Sequence, residues 1–261
     1  MIPRIGFGTW RLRSSDCEDG VADALAAGYR HIDTAAMYDN EEQVGRGLRA
    51  SGVDRSEVWL TTKVWTDAME PEPLRASLER SLRRLQLEHV ELLLLHWPNP
   101  DVPLERSLTA MTELRDEGKT REIGVSNFPS AMFVEALDLA PVIVNQVEYH
   151  PFLSADAVLE VCRQRDVGLT AYRPLAKGKV GEEPAIREVA QAHGKTPAQV
   201  ALRWLIEQPR VSAVPKASTP QRRRENLDVF DFELTEDERA RIDALPKDRR
   251  EVEVAWAPDW D

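Results

Sequence analysis

Leu92-Leu93-Leu94-Leu95-His96-Trp97-Pro98 runs four leucines without a polar break into a histidine, a tryptophan and a proline. An apolar run with no alternation fits a strand covered on both faces, as in a parallel sheet under helices. Pro98 stops the ladder, because proline has no N–H to donate and pushes the preceding residue away from helix. His96 is left at the carboxyl end of the strand. Taken alone, such a histidine reads as a hydrogen-bonded core residue. The reading changes because the same pattern recurs along the chain.

Strand-like runs occupy residues 5–8, 31–33, 58–62, 90–95, 122–125, 142–147, 168–171 and 211–214, eight in all. Segments with helical periodicity lie between them, for example 19–25, 74–85, 104–114 and 155–161. Asn40 is placed to cap a helix with Glu41 and Glu42 in its first turn, and Pro71 and Pro73 open the third helix. Strand and helix alternate at about thirty residues per repeat, the spacing of right-handed βαβ units. Eight such units with no low-complexity linker predict an α/β fold of one domain over residues 1–261, closed into a (β/α)₈ barrel of the TIM type. An open, doubly wound sheet would alternate in the same way, but its dinucleotide fingerprint is missing. Gly6-Phe7-Gly8 starts a G-x-G, yet the third glycine position falls on Arg11.

The chain has 261 residues, 34 Lys and Arg against 45 Asp and Glu, and a net charge of −11. That balance argues against a nucleic-acid or anionic-membrane partner. With 42% hydrophobic residues it can bury a large core. Cys17 and Cys162 are its only two cysteines, so no disulfide framework or zinc cluster is implied, and no His/Asp/Glu grouping makes a metal site. A cytoplasmic setting is expected, since the N-terminus lacks a charged-then-apolar leader and no apolar stretch approaches the ~20 residues needed to span a bilayer.

In a parallel barrel the chemistry sits in the loops after the strands. Asp33 and Thr34, then Tyr38, follow the second strand, Lys63 and Trp65 the third, and His96 and Trp97 the fourth. Ser126 and Asn127 end the fifth, Gln146 the sixth, Tyr172 the seventh and Lys216 the eighth. Asp, Lys and Tyr are costly to bury unless paired, and a barrel mouth would bring them together. An unperturbed phenol, with a pKa of about 10, is a poor acid near neutrality. A nearby Lys63 cation is expected to favour the phenolate and lower that value, with Asp33 holding the lysine charged and oriented.

The chain resembles the aldo-keto reductases. The motifs that carry the resemblance are Gly6-Phe7-Gly8-Thr9-Trp10, His31-Ile32-Asp33-Thr34-Ala35 with Tyr38 and Asn40-Glu41, Thr62-Lys63-Val64-Trp65, Leu95-His96-Trp97-Pro98, Gly124-Val125-Ser126-Asn127-Phe128, Asn145-Gln146-Val147-Glu148 and Val214-Pro215-Lys216. The resemblance implies an NADPH-preferring reductase of small aldehydes and ketones, with NADH as an alternative cofactor. It implies Tyr38 as proton donor with Asp33, Lys63 and His96 as partners, His96 orienting the carbonyl. It further implies that Ser126, Asn127 and Gln146 hold the nicotinamide carboxamide and that Tyr172 stacks on the ring. Lys216 and Arg222 match the family's positions for the 2′-phosphate, and Glu225 and Asn226 those for adenine. A guanidinium suits a phosphate bidentately, whereas Arg223 and Arg224 read as a solvated helix face. The chain is expected to act as a monomer.

Some positions depart from the family. Ala217 stands where a serine usually follows the eighth-strand lysine, with Ser218 as an imperfect substitute, and Arg173 stands where a small residue often follows the stacking tyrosine. The chain starts almost at the first strand, so the hairpin that plugs the barrel bottom is expected to be reduced or absent. The tail after Asp243 is short, resembling bacterial diketogluconate and glyoxal reductases, and is expected to leave the pocket open. Trp10, Met37, Trp65 and Trp97 are expected to line that pocket as an apolar wall. Of two other readings, one fails and one remains. A glycosidase needs two carboxylic acids across a sugar, and the ends of strands four and seven carry His96 and Tyr172 instead. A non-catalytic, NADPH-binding regulatory or sensor relative on the same barrel is the alternative, since fold does not fix function.

Overall fold

The structure, a computed structural model, describes residues 2–261. Strands β1 (Phe7–Gly8), β2 (His31–Asp33), β3 (Trp59–Val64), β4 (Val90–Leu95), β5 (Thr120–Ser126), β6 (Val142–Glu148), β7 (Gly168–Tyr172) and β8 (Val211–Ala213) pair in parallel in sequence order. Helices α1 (Ser14–Ala26), α2 (Glu41–Ala50), α3 (Pro71–Leu85), α4 (Leu104–Asp116), α5 (Ser130–Leu139) and α6 (Asp156–Arg165) fill the first six connections. Two helices, α7 (Pro184–His193) and α8 (Pro197–Ile206), share the seventh connection, and α9 (Pro220–Leu227) and α10 (Glu236–Asp243) follow β8. All eight anticipated runs are strands, each end within two residues of its expected place. The barrel closes between its first and last strands: Ile5 bridges Ala213, and the Gly8 amide donates to the Pro215 carbonyl at 3.1 Å. Closure needs glycine there, since a Cβ on Gly8 would sit 2.8 Å from the Val214 oxygen.

The leucine run divides by pleat. Leu92 and Leu94 pack on Val144 inside the barrel, while Leu93 and Leu95 join the larger core beneath the helices. Successive side chains alternate faces, so His96 continues the inner row of Leu92 and Leu94 to the barrel mouth. Truncating a buried leucine such as Leu94 costs about 2–5 kcal/mol.

Asn40 occupies the N-cap position of α2 but makes no side-chain cap, contrary to the local signal. Its amide nitrogen donates to the Thr9 and Leu12 carbonyls at 2.9 and 3.2 Å, and its oxygen accepts from the Thr34 hydroxyl at 2.9 Å. Buried polar groups of two loops therefore outcompete the helix terminus for this side chain. Among the described residues, no helix is long and apolar enough to cross a membrane, and no cluster of His, Cys, Asp and Glu could hold a metal.

Candidate active site

At the carboxyl ends of β2 and β3, Asp33 and Lys63 form an ion pair with no solvent on the lysine, Nζ donating to Oδ1 at 2.7 Å. The same ammonium donates to the Thr34 carbonyl at 2.8 Å and to the Tyr38 hydroxyl at 3.4 Å. Tyr38 ends a single 3₁₀ turn, Ala36–Tyr38, whose next residue Asp39 takes a left-handed conformation at φ 54°. That turn folds the phenol back over the lysine, which lies 5.0 Å from the ring centre. His96 meets Tyr38 edge-on with ring centroids 5.7 Å apart, and Trp65 stands perpendicular to the imidazole at 5.0 Å. The four residues singled out for chemistry thus converge on one spot.

The electrostatics differ from the expectation in one respect. The Tyr38 phenol is held well above its ordinary value, first by burial and then by the Asp33 carboxylate, with Arg173 opposing. Lys63 was expected to lower it. Proximity to a cation does not win, because the cation is itself paired with Asp33 and removal from water penalises the phenolate directly. Burial also lowers the Lys63 ammonium, against the support of Asp33. His96 is pushed well below the usual imidazole range by burial and then by Lys63, so it is neutral at physiological pH. Its Nδ1 is buried with no hydrogen-bond partner.

The next strand ends form a second network. Ser126 Oγ donates to the Gln146 carbonyl at 2.7 Å, and Gln146 Nε2 donates to the free oxygen of Asp33 at 2.8 Å. Asn127 sits in a left-handed conformation at φ 64°, which turns its amide inward. There it donates to the His96 carbonyl at 2.9 Å and accepts from the Tyr172 hydroxyl at 2.7 Å. Both networks therefore meet at Asp33 and His96.

Two cavities open off this cluster. The smaller, about 280 Å³, is walled by Trp10, Met37, Trp65 and Trp97, with Tyr38, His96, Asn127, Gln146 and Tyr172 at its inner end. The larger, about 660 Å³, runs from Trp10 and Arg173 to Lys216, Arg222, Glu225 and Asn226. Trp10, Arg173, Pro174 and Lys216 line both, so the two join. Arg11, Arg173, Lys177, Lys216 and Arg222 set five cations against the single Glu225 carboxylate along the larger cavity, in a protein of net charge −11. Such a lining suits an anionic ligand such as the phosphates of a dinucleotide. Arg222 is exposed at the first turn of α9. Lys216 donates to Ser218 Oγ at 2.6 Å, so Ser218 is already engaged. Arg223 is not the solvated residue expected: it is buried, donating to Asp23 at 2.6 Å and to the Ala217 carbonyl at 3.3 Å beneath α1.

The tail is the larger correction. Residues 244–261 do not leave the pocket open. Val252, Val254 and Trp256 line the smaller cavity, and Trp256 packs edge-on against Trp65 and Trp97 at 5.8 and 5.1 Å. Trp260 adds a contact to Trp97 at 6.0 Å, and Arg250 lies 3.8 Å over the Trp260 ring. The Asp261 carboxylate accepts from the Ser130 amide and hydroxyl at 2.8 and 2.6 Å. The signal for this covering segment was its apolar residues, Val252, Val254, Trp256 and Trp260, in a tail with no helical or strand pattern.

Residues 4–247 match the model of the Aldo/keto reductase family. An aldo-keto reductase of Mycobacterium sp. (strain KMS) is 42% identical over 247 residues, covering 94% of this chain and 89% of its own. A glyoxal reductase of Bacillus subtilis (strain 168) is 40% identical over 252 residues, covering 95% of this chain and 91% of its own. The crystal structure of a candidate 2,5-diketo-D-gluconic acid reductase B superposes with a TM-score of 0.97 at 44% identity, covering 100% of this chain and 94% of that one.

Proposed function

Because the chain belongs to the aldo/keto reductase family, we propose that it reduces small aldehydes and ketones with a nicotinamide dinucleotide, NADPH in preference to NADH. The observation that carries this reading is the convergence of Tyr38, Lys63, Asp33 and His96 at the inner end of a tryptophan-walled cavity that joins a cation-lined one. When bound, the reduced nicotinamide supplies the hydride that adds to the carbonyl carbon. Ser126, Asn127 and Gln146 would hold the carboxamide, Tyr172 the ring, and Lys216 and Arg222 the adenosine phosphate, with Glu225 and Asn226 at the adenine.

The chain's own part is to orient the carbonyl and supply one proton. His96, neutral and wedged against Trp65, can donate a hydrogen bond to the carbonyl oxygen without presenting a charge. Tyr38 gives its phenolic proton to that oxygen as the alcohol forms. A phenol whose pKa lies well above 10 is still a stronger acid than the developing alcohol, and it stays protonated throughout the neutral range. The phenolate left behind faces the Lys63 ammonium at 3.4 Å, which stabilises it until a proton returns. Trp10, Met37, Trp65, Trp97 and Trp256 exclude water and supply an apolar wall that discriminates weakly between small substrates, each methylene being worth about 1–3 kcal/mol.

The test is NADPH oxidation with glyoxal, methylglyoxal and a nitrobenzaldehyde, by the wild type and Tyr38→Phe. Turnover should fall at least about 100-fold in the variant while cofactor affinity stays within about twofold. Loss of NADPH binding in the variant would sink the assignment of Tyr38. Tight NADPH binding by the wild type without turnover across the panel would favour the regulatory relative.

A further inference from the structure

Residue 251 is tied to three parts of the molecule at once. Its amide donates to the buried Glu148 carboxylate at the end of β6 at 2.5 Å, and the next amide, of Val252, donates to the other Glu148 oxygen at 2.8 Å. His150 holds that same carboxylate at 3.1 Å, with no solvent on either side chain. The Glu251 carbonyl accepts from Arg173 at 3.3 Å and from Lys177 at 3.2 Å. Its carboxylate faces Lys177 at 2.9 Å and Arg249 at 3.3 Å. From this anchor the tail runs on with Val252, Val254 and Trp256 turned into the substrate cavity.

Arg173 and Lys177 also line the larger cavity, on a loop that is under backbone strain. Arg173, Ala176 and Lys177 all adopt positive φ, at 50, 44 and 54°, followed by Gly178 at 93°. Non-glycine residues in this region cost of order 1 kcal/mol each, so contacts from elsewhere hold the loop in place. Beside the packing of Ala176 and Val180 in the core, the tail supplies such contacts at Arg173 and Lys177. Two of the five cations along the larger cavity are thus the ones on Glu251. Its carboxylate keeps Arg249 as a partner if Lys177 leaves, so an exchange strands no charge.

We propose that Glu251 is a positioning residue that shares Lys177 and Arg173 with the phosphates of the dinucleotide, so that cofactor binding and closure of the tail over the substrate draw on one pair of cations. The proposal rests on the reading of the larger cavity as the cofactor site. Glu251→Gln removes the charge while keeping both amide bonds to Glu148. It should tighten NADPH about threefold, because Lys177 is freed from a half-exposed ion pair, and raise the carbonyl KM by a similar factor, because the tail is less firmly held. A merely structural role would weaken both ligands together. Equilibrium binding by quenching of tryptophan fluorescence reads the first effect without turnover, and steady-state kinetics reads the second. In a Lys177→Gln background NADPH binds more weakly, and adding Glu251→Gln should change it no further. Unchanged or weaker NADPH binding by Glu251→Gln, with the wild type binding normally, overturns the shared-cation proposal alone. Absence of NADPH binding by the wild type overturns both it and the reading of the cavity.

Discussion

Lys63→Met tests whether the Asp33–Lys63 pair is held together as the geometry implies, without reference to catalysis. The wild-type ammonium has three oxygen partners and no solvent. Methionine fills much of the lysine volume but leaves the Asp33 carboxylate with only the Gln146 amide, at 2.8 Å, to satisfy a buried charge. Breaking one side of a buried ion pair costs about 3–5 kcal/mol. For a chain of this size, about 2–4 °C per kcal/mol translates this into a melting temperature lower by roughly 6–20 °C. Asp33→Asn should lose a comparable amount, since it leaves the ammonium without a counter-charge. The double variant replaces the pair by two neutral groups and should be more stable than the sum of the two losses predicts, by at least about 2 kcal/mol. Thermal and urea unfolding of the four proteins, followed by circular dichroism, provides the cycle. Additive losses, or a Lys63→Met protein within about 1 kcal/mol of the wild type, would show that the pair is not desolvated and would remove the basis for treating Lys63 as a fixed charge beside Tyr38.

Arg222→Ala should weaken NADPH far more than NADH in equilibrium binding, and equal losses would disprove its phosphate contact. The pH profile of reduction should lack a limb near 6.5, because His96 is neutral well below that value, and should not fall on the alkaline side before pH 9, because Tyr38 keeps its proton. Stability should instead fall with acid. His31, pushed down to about 4 by burial, and His96 both take up protons in the unfolded chain near pH 6.5 but resist them in the fold, so unfolding binds protons and melting temperatures drop from pH 6.5 toward 4.

The strand-end residues were legible because a barrel converts a linear rule into a place. Once Leu92 to Leu95 read as a stave, the rule that chemistry follows the strand ends put His96 at the barrel mouth, and the same rule put Asp33 and Lys63 beside it. What the rule does not carry is the balance of forces after convergence. Lys63 could be expected near Tyr38, yet the direction of the phenol's shift depends on burial and on the Asp33 charge, and neither is a property of spacing. Asn40 and Arg223 misled for a related reason. Each has an ordinary local role, as a cap and as a helix-face cation, which tertiary partners override: three backbone or hydroxyl groups for Asn40, and Asp23 with the Ala217 carbonyl for Arg223.

The tail was illegible for a deeper reason, and it separates what is rigid in this site from what is adjustable. Asp33, Lys63, Ser126 and Gln146 stand at strand ends and pair with one another, so their geometry is tied to that of the barrel. The tail has no helix or strand ladder of its own. Its position depends on a few directed contacts, chiefly two amides on Glu148, the Glu251 ion pairs, and Trp256 against Trp65 and Trp97. Segments held this way open at lower free energy than core strands, so the tail can move without disturbing Tyr38 or His96. Val252, Val254 and Trp256 thus sit on the adjustable part of the cavity wall, and Tyr38 and His96 on the fixed part. In this chain the tail's anchor and the larger cavity meet at Arg173 and Lys177, so a change that loosens the tail also reaches that cavity's cation lining.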